Sequence, residues 1–145
     1  MSQRFLLDTN VLSELMREAP EPGVFDWFRQ NRSAPMMTSA VSQAEILTGI
    51  ALLPAGKRRA GLDRAAQQMF EQDFAERICA FDAAAAPHYA QIVAVRTGQG
   101  RPVSTEDAQI AAIALAGGLT LLTRNIKDFQ GIAGLLLSNP WVSQP

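Results

Sequence analysis

Four acidic residues, Asp8, Glu45, Asp107 and Asp128, stand at the edges of apolar segments rather than inside polar loops. Carboxylates that converge repel one another and are hard to keep ionised without a cation. If these four meet, the chemistry they suit is metal-assisted hydrolysis with Mg2+ or Mn2+, whose preferred ligands are hard oxygens. The first acid follows a strand-like run in Phe5-Leu6-Leu7-Asp8-Thr9-Asn10. In an open parallel sheet, groups just past the carboxyl ends of the strands face a common crevice, so acids at such points can converge from distant parts of the chain.

Each acid also has a purely structural reading. Asp8 is a favoured helix N-cap ahead of a helical segment. Asp107 follows Ser104 by three residues, as in a capping box with Asp in place of Glu or Gln. The helix that it opens is apolar around most of its circumference through Ile110, Ala111, Ile113, Ala114 and Leu115, which should hold its first turn near the sheet ends. Glu45 falls on the helix row of Val41, Gly49 and Leu52, at the border of a buried stripe expected from Ala44, Leu47 and Ala51. The segment Leu121 to Phe129 offers Asn125 as a neutral oxygen donor and Asp128 as a carboxylate, or else a solvated turn anchored by Phe129. Arg101 and Arg124 are placed to contact phosphate, with Arg96 one helical end away, and Thr9 and Ser104 could supply hydroxyls to water or cap helices. Lys57-Arg58-Arg59 reads as the solvated start of a helix.

The elements that must position these residues alternate between strand and helix. Strands are expected at Arg4 to Leu7, Met36 to Thr38, Arg77 to Phe81, Leu119 to Thr123 and Gly134 to Leu137. Helices are expected over Val11 to Met16, Val24 to Gln30, Ser39 to Ala51, Lys57 to Phe74, from Asp82 to about Thr97, and from Ser104 or Thr105 to Ala116. Leu62, Ala65, Ala66, Met69 and Phe70 give the Lys57 helix its apolar face. This order predicts an α/β domain, a three-layer α/β/α sandwich around a mostly parallel sheet. The 145 residues, 48% hydrophobic, suit one domain spanning 1–145.

Composition narrows the chemistry further. A formal net charge of -1 argues against coating nucleic acid by bulk attraction, so any contact with phosphate must use local cations. One cysteine, Cys79, and one histidine, His88, leave no raw material for a thiolate zinc site or a histidine relay. No apolar stretch nears the ~18 residues of a membrane span and no leader is evident, so a cytoplasmic protein is expected. A phosphoacceptor receiver or aspartate phosphatase is disfavoured, because Asp8-Thr9-Asn10 lacks the second Asp of the phosphatase motif and no acidic pair precedes a strand end. There is no Gly-rich loop ending in Gly-Lys-Ser or Gly-Lys-Thr to hold a nucleotide.

Four pieces in order carry a family resemblance: Phe5-Leu6-Leu7-Asp8-Thr9-Asn10-Val11-Leu12, Ala44-Glu45-Ile46, Gly100-Arg101-Pro102-Val103 through Asp107-Ala108-Gln109-Ile110-Ala111-Ala112, and Thr123-Arg124-Asn125-Ile126-Lys127-Asp128-Phe129. Together, and with Asn139-Pro140-Trp141, they resemble the PIN-domain ribonucleases, in particular the VapC toxins and their FitB-like relatives. The resemblance implies that Asp8, Glu45 and Asp107 bind Mg2+ or Mn2+ in a PIN-like domain that cleaves RNA. The family's fourth acidic position varies around the Thr-Arg-Asn segment, so Asn125 and Asp128 are both candidates. The resemblance also implies a cognate VapB- or FitA-like antitoxin whose C-terminal segment occupies a groove and approaches the active site. Val24-Phe25-Asp26-Trp27-Phe28 could supply that groove or a homodimer contact, or be an ordinary core-facing helix. The alternative within the same fold is an adaptor that binds RNA or protein and has lost catalysis.

Overall fold

The computed structural model describes residues 3–142. Its centre is a five-stranded sheet made from short, almost wholly apolar strands: β1 (Phe5–Leu7), β2 (Met36–Ser39), β3 (Ile78–Cys79), β4 (Thr120–Leu122) and β5 (Leu137–Ser138). The spatial order is β3-β2-β1-β4-β5 and every pairing is parallel, so the expected mostly parallel sheet is parallel throughout. Strands buried on both faces need no polar alternation, which is why β1 and β4 read as continuous hydrophobic runs.

Register places the site. Leu7 pairs with Thr38 on one side and Leu122 on the other, so the residues that follow, Asp8, Ser39 and Thr123, lie at one end of the three central strands. The strand order runs outward in both directions from β1 and its neighbour β4, and a crevice forms beyond the strand ends where connections diverge in this way.

Successive residues of β1 point to opposite faces and define two cores. Leu6, with Met37 and Leu121, packs against α5 (Ala86–Gly98), α6 (Thr105–Gly117) and α7 (Ile126–Phe129). Phe5 and Leu7 pack on the other side against α1 (Thr9–Leu15), α2 (Pro22–Gln30), α3 (Ala40–Ala51) and α4 (Lys57–Gln68). The expected three-layer sandwich is therefore present. Helix α6 carries Ala108, Ala111, Ala112 and Ala114, all fully buried, so its backbone can approach the sheet closely. It ends where Gly118 adopts a left-handed conformation (φ 62°) that only glycine takes at no steric cost.

Three expectations about the elements are corrected. The helix expected over Lys57 to Phe74 is α-helical only to Gln68, after which Met69–Asp73 form a π-helical turn. The wider turn lets Met69, Phe70 and Phe74 all enter the core, which an unbroken 3.6-residue period cannot do as readily. The last strand lies at Leu137–Ser138 rather than Gly134 to Leu137, because Gly131 and Gly134 have φ of 85° and 81° and bend the chain ahead of it. On α3 the buried stripe is Ser42, Ile46 and Ile50, whereas Ala44, Leu47 and Ala51 face outward. The polar Ser42 belongs inside because its hydroxyl has a partner there, as described below. A smaller difference concerns α5, which starts at Ala86: the Asp82 carboxylate caps the preceding turn, accepting from the amides of Ala84 and Ala85.

Candidate active site

Asp8 is the buried member of the acid group, 4% exposed, directly after β1. Its Oδ1 accepts from the Thr9 amide at 2.8 Å, and its Oδ2 accepts from the Thr123 hydroxyl at 2.8 Å and the Asn10 amide group at 3.2 Å. Burial nevertheless pushes its carboxyl above the ordinary aspartate value. The Thr123 and Thr9 bonds oppose that rise, and the negative charge of Glu45 adds to it. A carboxylate with three donors would ordinarily titrate low, so here burial outweighs the hydrogen bonds.

Glu45, on the exposed side of α3, is brought to Asp8 by a hydroxyl relay. The Thr9 hydroxyl donates to Glu45 Oε1 at 2.7 Å and lies 2.9 Å from the Ser42 hydroxyl. Ser42 is held in turn by Ser39, the N-cap of α3, whose side chain accepts from the Ser42 amide. Thr9 therefore links the strand end that carries Asp8 to the helix that carries Glu45.

Asp107 sits in the first turn of α6, where Ser104 is the N-cap and accepts from the Asp107 amide at 3.1 Å. The capping reading holds, and the cap fixes the turn that carries the Asp107 carboxylate. Its pKa is raised to about 6, first by burial and then by the charge of Asp8, with further contributions from Asp128 and Glu45 and an opposing hydrogen bond with Ser104. Asp107 thus feels all three of the other acids, which gathers Asp8, Glu45, Asp107 and Asp128 into one neighbourhood. No cation is among the groups that shift it. Among the described residues the ion pairs are Arg17–Glu14 at 2.9 Å and Arg29–Asp26 at 3.2 Å, and neither touches this group. Nor, among the described residues, do any three Asp, Glu, His or Cys side chains come together closely enough to hold a metal ion. The hydroxyls of Thr9 and Thr123 hold Glu45 and Asp8 respectively.

Helix α7 supplies the remaining candidates. Asn125 is its exposed N-cap residue, and its amide donates to the Thr123 hydroxyl at 3.0 Å. Asp128 is exposed one turn later, above the fully buried anchor Phe129. It is the Asp128 charge that reaches Asp107.

The expected phosphate contacts are placed less uniformly. Arg124 is exposed next to the acids, with its amide donating to Asn10 Oδ1 at 3.1 Å and its guanidinium 5.0 Å from the centroid of the Trp141 ring. Its charge also helps to hold Glu14 below the ordinary glutamate value, behind the larger effects of the Glu21 amide and of Arg17. Arg101 is exposed, and its guanidinium lies beside Gly131 beyond the end of α7. Arg96 is corrected outright: it is 5% exposed and its Nη2 donates to the carbonyls of Asp128 at 2.8 Å and Gln130 at 3.0 Å. It fastens α7 to the last turn of α5 and cannot meet substrate. His88 is exposed on α5, in a separate shallow cleft with Ile92, Val95 and Leu115. On α2, Val24 and Trp27 are buried while Phe25 is 60% exposed, so most of its aromatic segment faces the core.

Sequence reasoning missed Asn10, Ser42 and Thr123 as site residues. Thr123 is the hub, fully buried and in contact with Asp8, Asn10 and Asn125 through one hydroxyl. A threonine directly after a strand otherwise made of leucines was the available signal.

The fold and the acids define a parallel α/β domain with an acidic crevice at its strand ends. The comparisons make the family specific: the PIN domain model matches residues 5–135, and the chain belongs to the PIN-domain family. It is 41% identical over 136 residues to plasmid stability protein StbB of Pseudomonas syringae pv. tomato, covering 94% of this chain and 97% of the relative. It is 35% identical to VapC ribonuclease Y4jK of Sinorhizobium fredii, covering 94% and 96%. A solved structure of FitAB bound to an IR36 DNA fragment superposes with a TM-score of 0.85 at 35% identity, covering 97% of this chain and 98% of that one.

Proposed function

We propose that this protein is a divalent-metal-dependent endoribonuclease that hydrolyses RNA phosphodiester bonds, and that it acts as the toxin of a VapBC-type toxin–antitoxin pair. The observation that carries the reading is Asp8 at the end of β1 with Asp107 half-buried at the start of α6, where burial and then the charges of three other carboxylates, Asp8, Asp128 and Glu45, all raise Asp107 and no basic side chain opposes them. The donors fit Mg2+ or Mn2+: they are carboxylate oxygens, with threonine hydroxyls behind them and no thiolate or imidazole. Asp8, Asp107 and Glu45 would hold the ion. Asp128 completes the acidic set in preference to Asn125, because it alone brings a charge that reaches Asp107.

When bound, such a cation supplies Lewis-acid polarisation of a phosphoryl oxygen and acidification of water. The chain's own residues do the positioning. Thr123 and Asn10 fix Oδ2 of Asp8, and Ser104 fixes the turn that presents Asp107. Thr9 orients Glu45 through Oε1, leaving Oε2 free to accept a proton from an attacking water. Arg124, standing at the edge of the acidic group, is the cation best placed to offset phosphate charge, with Arg101 further out. No histidine base is required.

The names of the relatives extend the proposal to partners. StbB is described as a plasmid stability protein and Y4jK as a VapC ribonuclease, and the FitAB structure is a complex bound to DNA. A cognate VapB- or FitA-like antitoxin is accordingly proposed as the regulator, with the toxin a homodimer at work in the cytoplasm. Among the described residues no helix is long and apolar enough to cross a membrane.

The deciding experiment incubates the purified chain with a panel of tRNA, rRNA and mRNA fragments in Mg2+, Mn2+ or EDTA, alongside Asp8→Asn and Asp107→Asn. Cleavage that needs the metal and disappears in both folded variants is expected. Undiminished cleavage by both, with contaminating nuclease excluded, would overturn the assignment. Binding of RNA without cleavage by the wild-type chain under every metal condition would favour the adaptor alternative.

A further inference from the structure

We propose that the cleft between α2 and β5 is a base-recognition subsite for single-stranded RNA, with Trp141 as its stacking wall. The proposal rests on the ribonuclease reading above and deepens it by naming where the strand beside the scissile phosphate goes.

The cleft has a volume of about 650 Å3 and is lined by Gln3, Trp27, Gln30, Asn31, Ser138 and Trp141, among others. That volume falls within the range of pre-formed small-ligand sites and holds a nucleotide with room to spare. A short chain of contacts joins it to the acids. Asn10 donates to Asp8 Oδ2 at 3.2 Å and accepts from the Arg124 amide at 3.1 Å, and the Arg124 guanidinium stands 5.0 Å from the Trp141 ring centroid. In this proposal a strand held at the acids sets its next phosphate on Arg124 and its following base against Trp141, the ring beside that guanidinium.

The lining suits a base rather than an aliphatic side chain. Its floor is rigid: Trp27 makes edge contacts with Phe5 and with Phe28, both at 5.0 Å between centroids. Trp141 is itself fixed by its amide, which donates to Asn139 Oδ1 at 2.9 Å. The rim is made of groups that pair with base edges. The side chains of Gln30 and Ser138 make no hydrogen bond among the described residues, and Asn31 gives one amide proton to the Trp27 carbonyl, leaving the other proton and Oδ1 for a base edge. Single-stranded RNA is read by this combination of an aromatic face for stacking and amides or hydroxyls for the exposed edges. The one carboxylate in the lining, Asp26, is paired with Arg29 and so repels phosphate less than a free acid would.

The test uses the full-length Asp8→Asn chain, so that bound RNA stays intact, and measures binding of short labelled ribo-oligonucleotides and of an abasic strand carrying the same number of phosphates. Stacking on an aromatic ring is worth roughly 5- to 150-fold in affinity per base, so strands with bases should bind at least about 10-fold tighter than the abasic one. Adding Trp141→Leu should erase that difference while leaving the salt dependence unchanged. Adding Arg124→Met should lower the salt slope by about one phosphate contact and keep the base preference. Gln30→Ala, an exposed change that leaves the fold alone, should alter the ranking among the four bases even if Trp141→Leu does not fold. Equal affinity for the abasic strand, or base preference that survives loss of Trp141 and of Gln30, overturns the subsite. So does protection of Trp141 fluorescence by an antitoxin peptide but by no oligonucleotide. Wild-type cleavage of RNA together with any of these results leaves the nuclease standing and removes only the subsite.

Discussion

At the residue scale, the acids are set by burial and mutual repulsion acting against hydrogen bonding, and Asp107 shows which wins. Its folded pKa of about 6 lies above the ordinary aspartate value of 3.8. The native state therefore holds more protons than the unfolded chain between those two values, and stability falls as pH rises through that window. In metal-free buffer, thermal melts taken from pH 4 to pH 7 should show the midpoint declining with pH, and Asp107→Asn should flatten the curve. A midpoint that instead climbs over this range would show that Asp107 is stabilised as the anion. Thr123 tests the opposing force. Thr123→Val keeps shape but removes a donor to Asp8, moving that carboxyl further up. Losing a group that orients a metal ligand ordinarily costs about 10- to 100-fold in metal affinity, and calorimetric titration with Mn2+ should find a drop of that order.

At the element scale, what was legible in the sequence was what short-range pattern controls. The strands appeared as leucine-rich runs, Ser104 announced the start of α6, and Gly118 announced its end. Asp8 and Asp107 could be placed from sequence because they sit at element boundaries, whereas Glu45, in the middle of α3, stood out only by its helix row and by family resemblance. The failures share one cause, which is that a residue's partner across the fold decides its burial. Ser42 lies inside α3's buried face because Thr9 meets it there, so a stripe counted from Ala44, Leu47 and Ala51 came out on the wrong side. Arg96 looked like a surface cation, yet three carbonyls from two other segments receive it: those of Asp128, Gln130 and, at 3.4 Å, Arg101. It joins the loop leading to Ser104 and the helix carrying Asp128, and its Nε is left without a partner. Arg96→Met should therefore loosen α7 and the Arg101 loop together. The expected result is a catalytic rate lowered more than about tenfold with a smaller effect on KM, since misplacement of positioned groups is costly, and partial recovery in Arg96→Lys. A changed melting temperature with unchanged kcat would assign Arg96 to stability alone.

At the scale of the whole molecule, the acid site is a local fault in a fold that is otherwise well satisfied. Two cores are tightly filled, one on each face of a fully parallel sheet, and the uncompensated charge is concentrated beyond the ends of β1 and β4. A ligand that binds only the folded chain stabilises it by mass action, and a divalent cation should do so here while removing the repulsion that adds to the effect of burial on Asp107. At a concentration of metal 100 times its dissociation constant the gain is about 2.7 kcal/mol, which for a domain of this size raises the melting temperature by several degrees. Protons compete for the same carboxylates. The thermal shift with Mn2+ should accordingly be larger at pH 7.5 than at pH 5, because at pH 5 Asp107, with its pKa near 6, is mostly protonated and must lose its proton before it can bind. Asp8→Asn and Asp107→Asn should each abolish most of the shift at both pH values. Scanning calorimetry of the three proteins at two pH values gives the comparison, and a shift of equal size in all of them would place the metal somewhere other than the crevice at the strand ends.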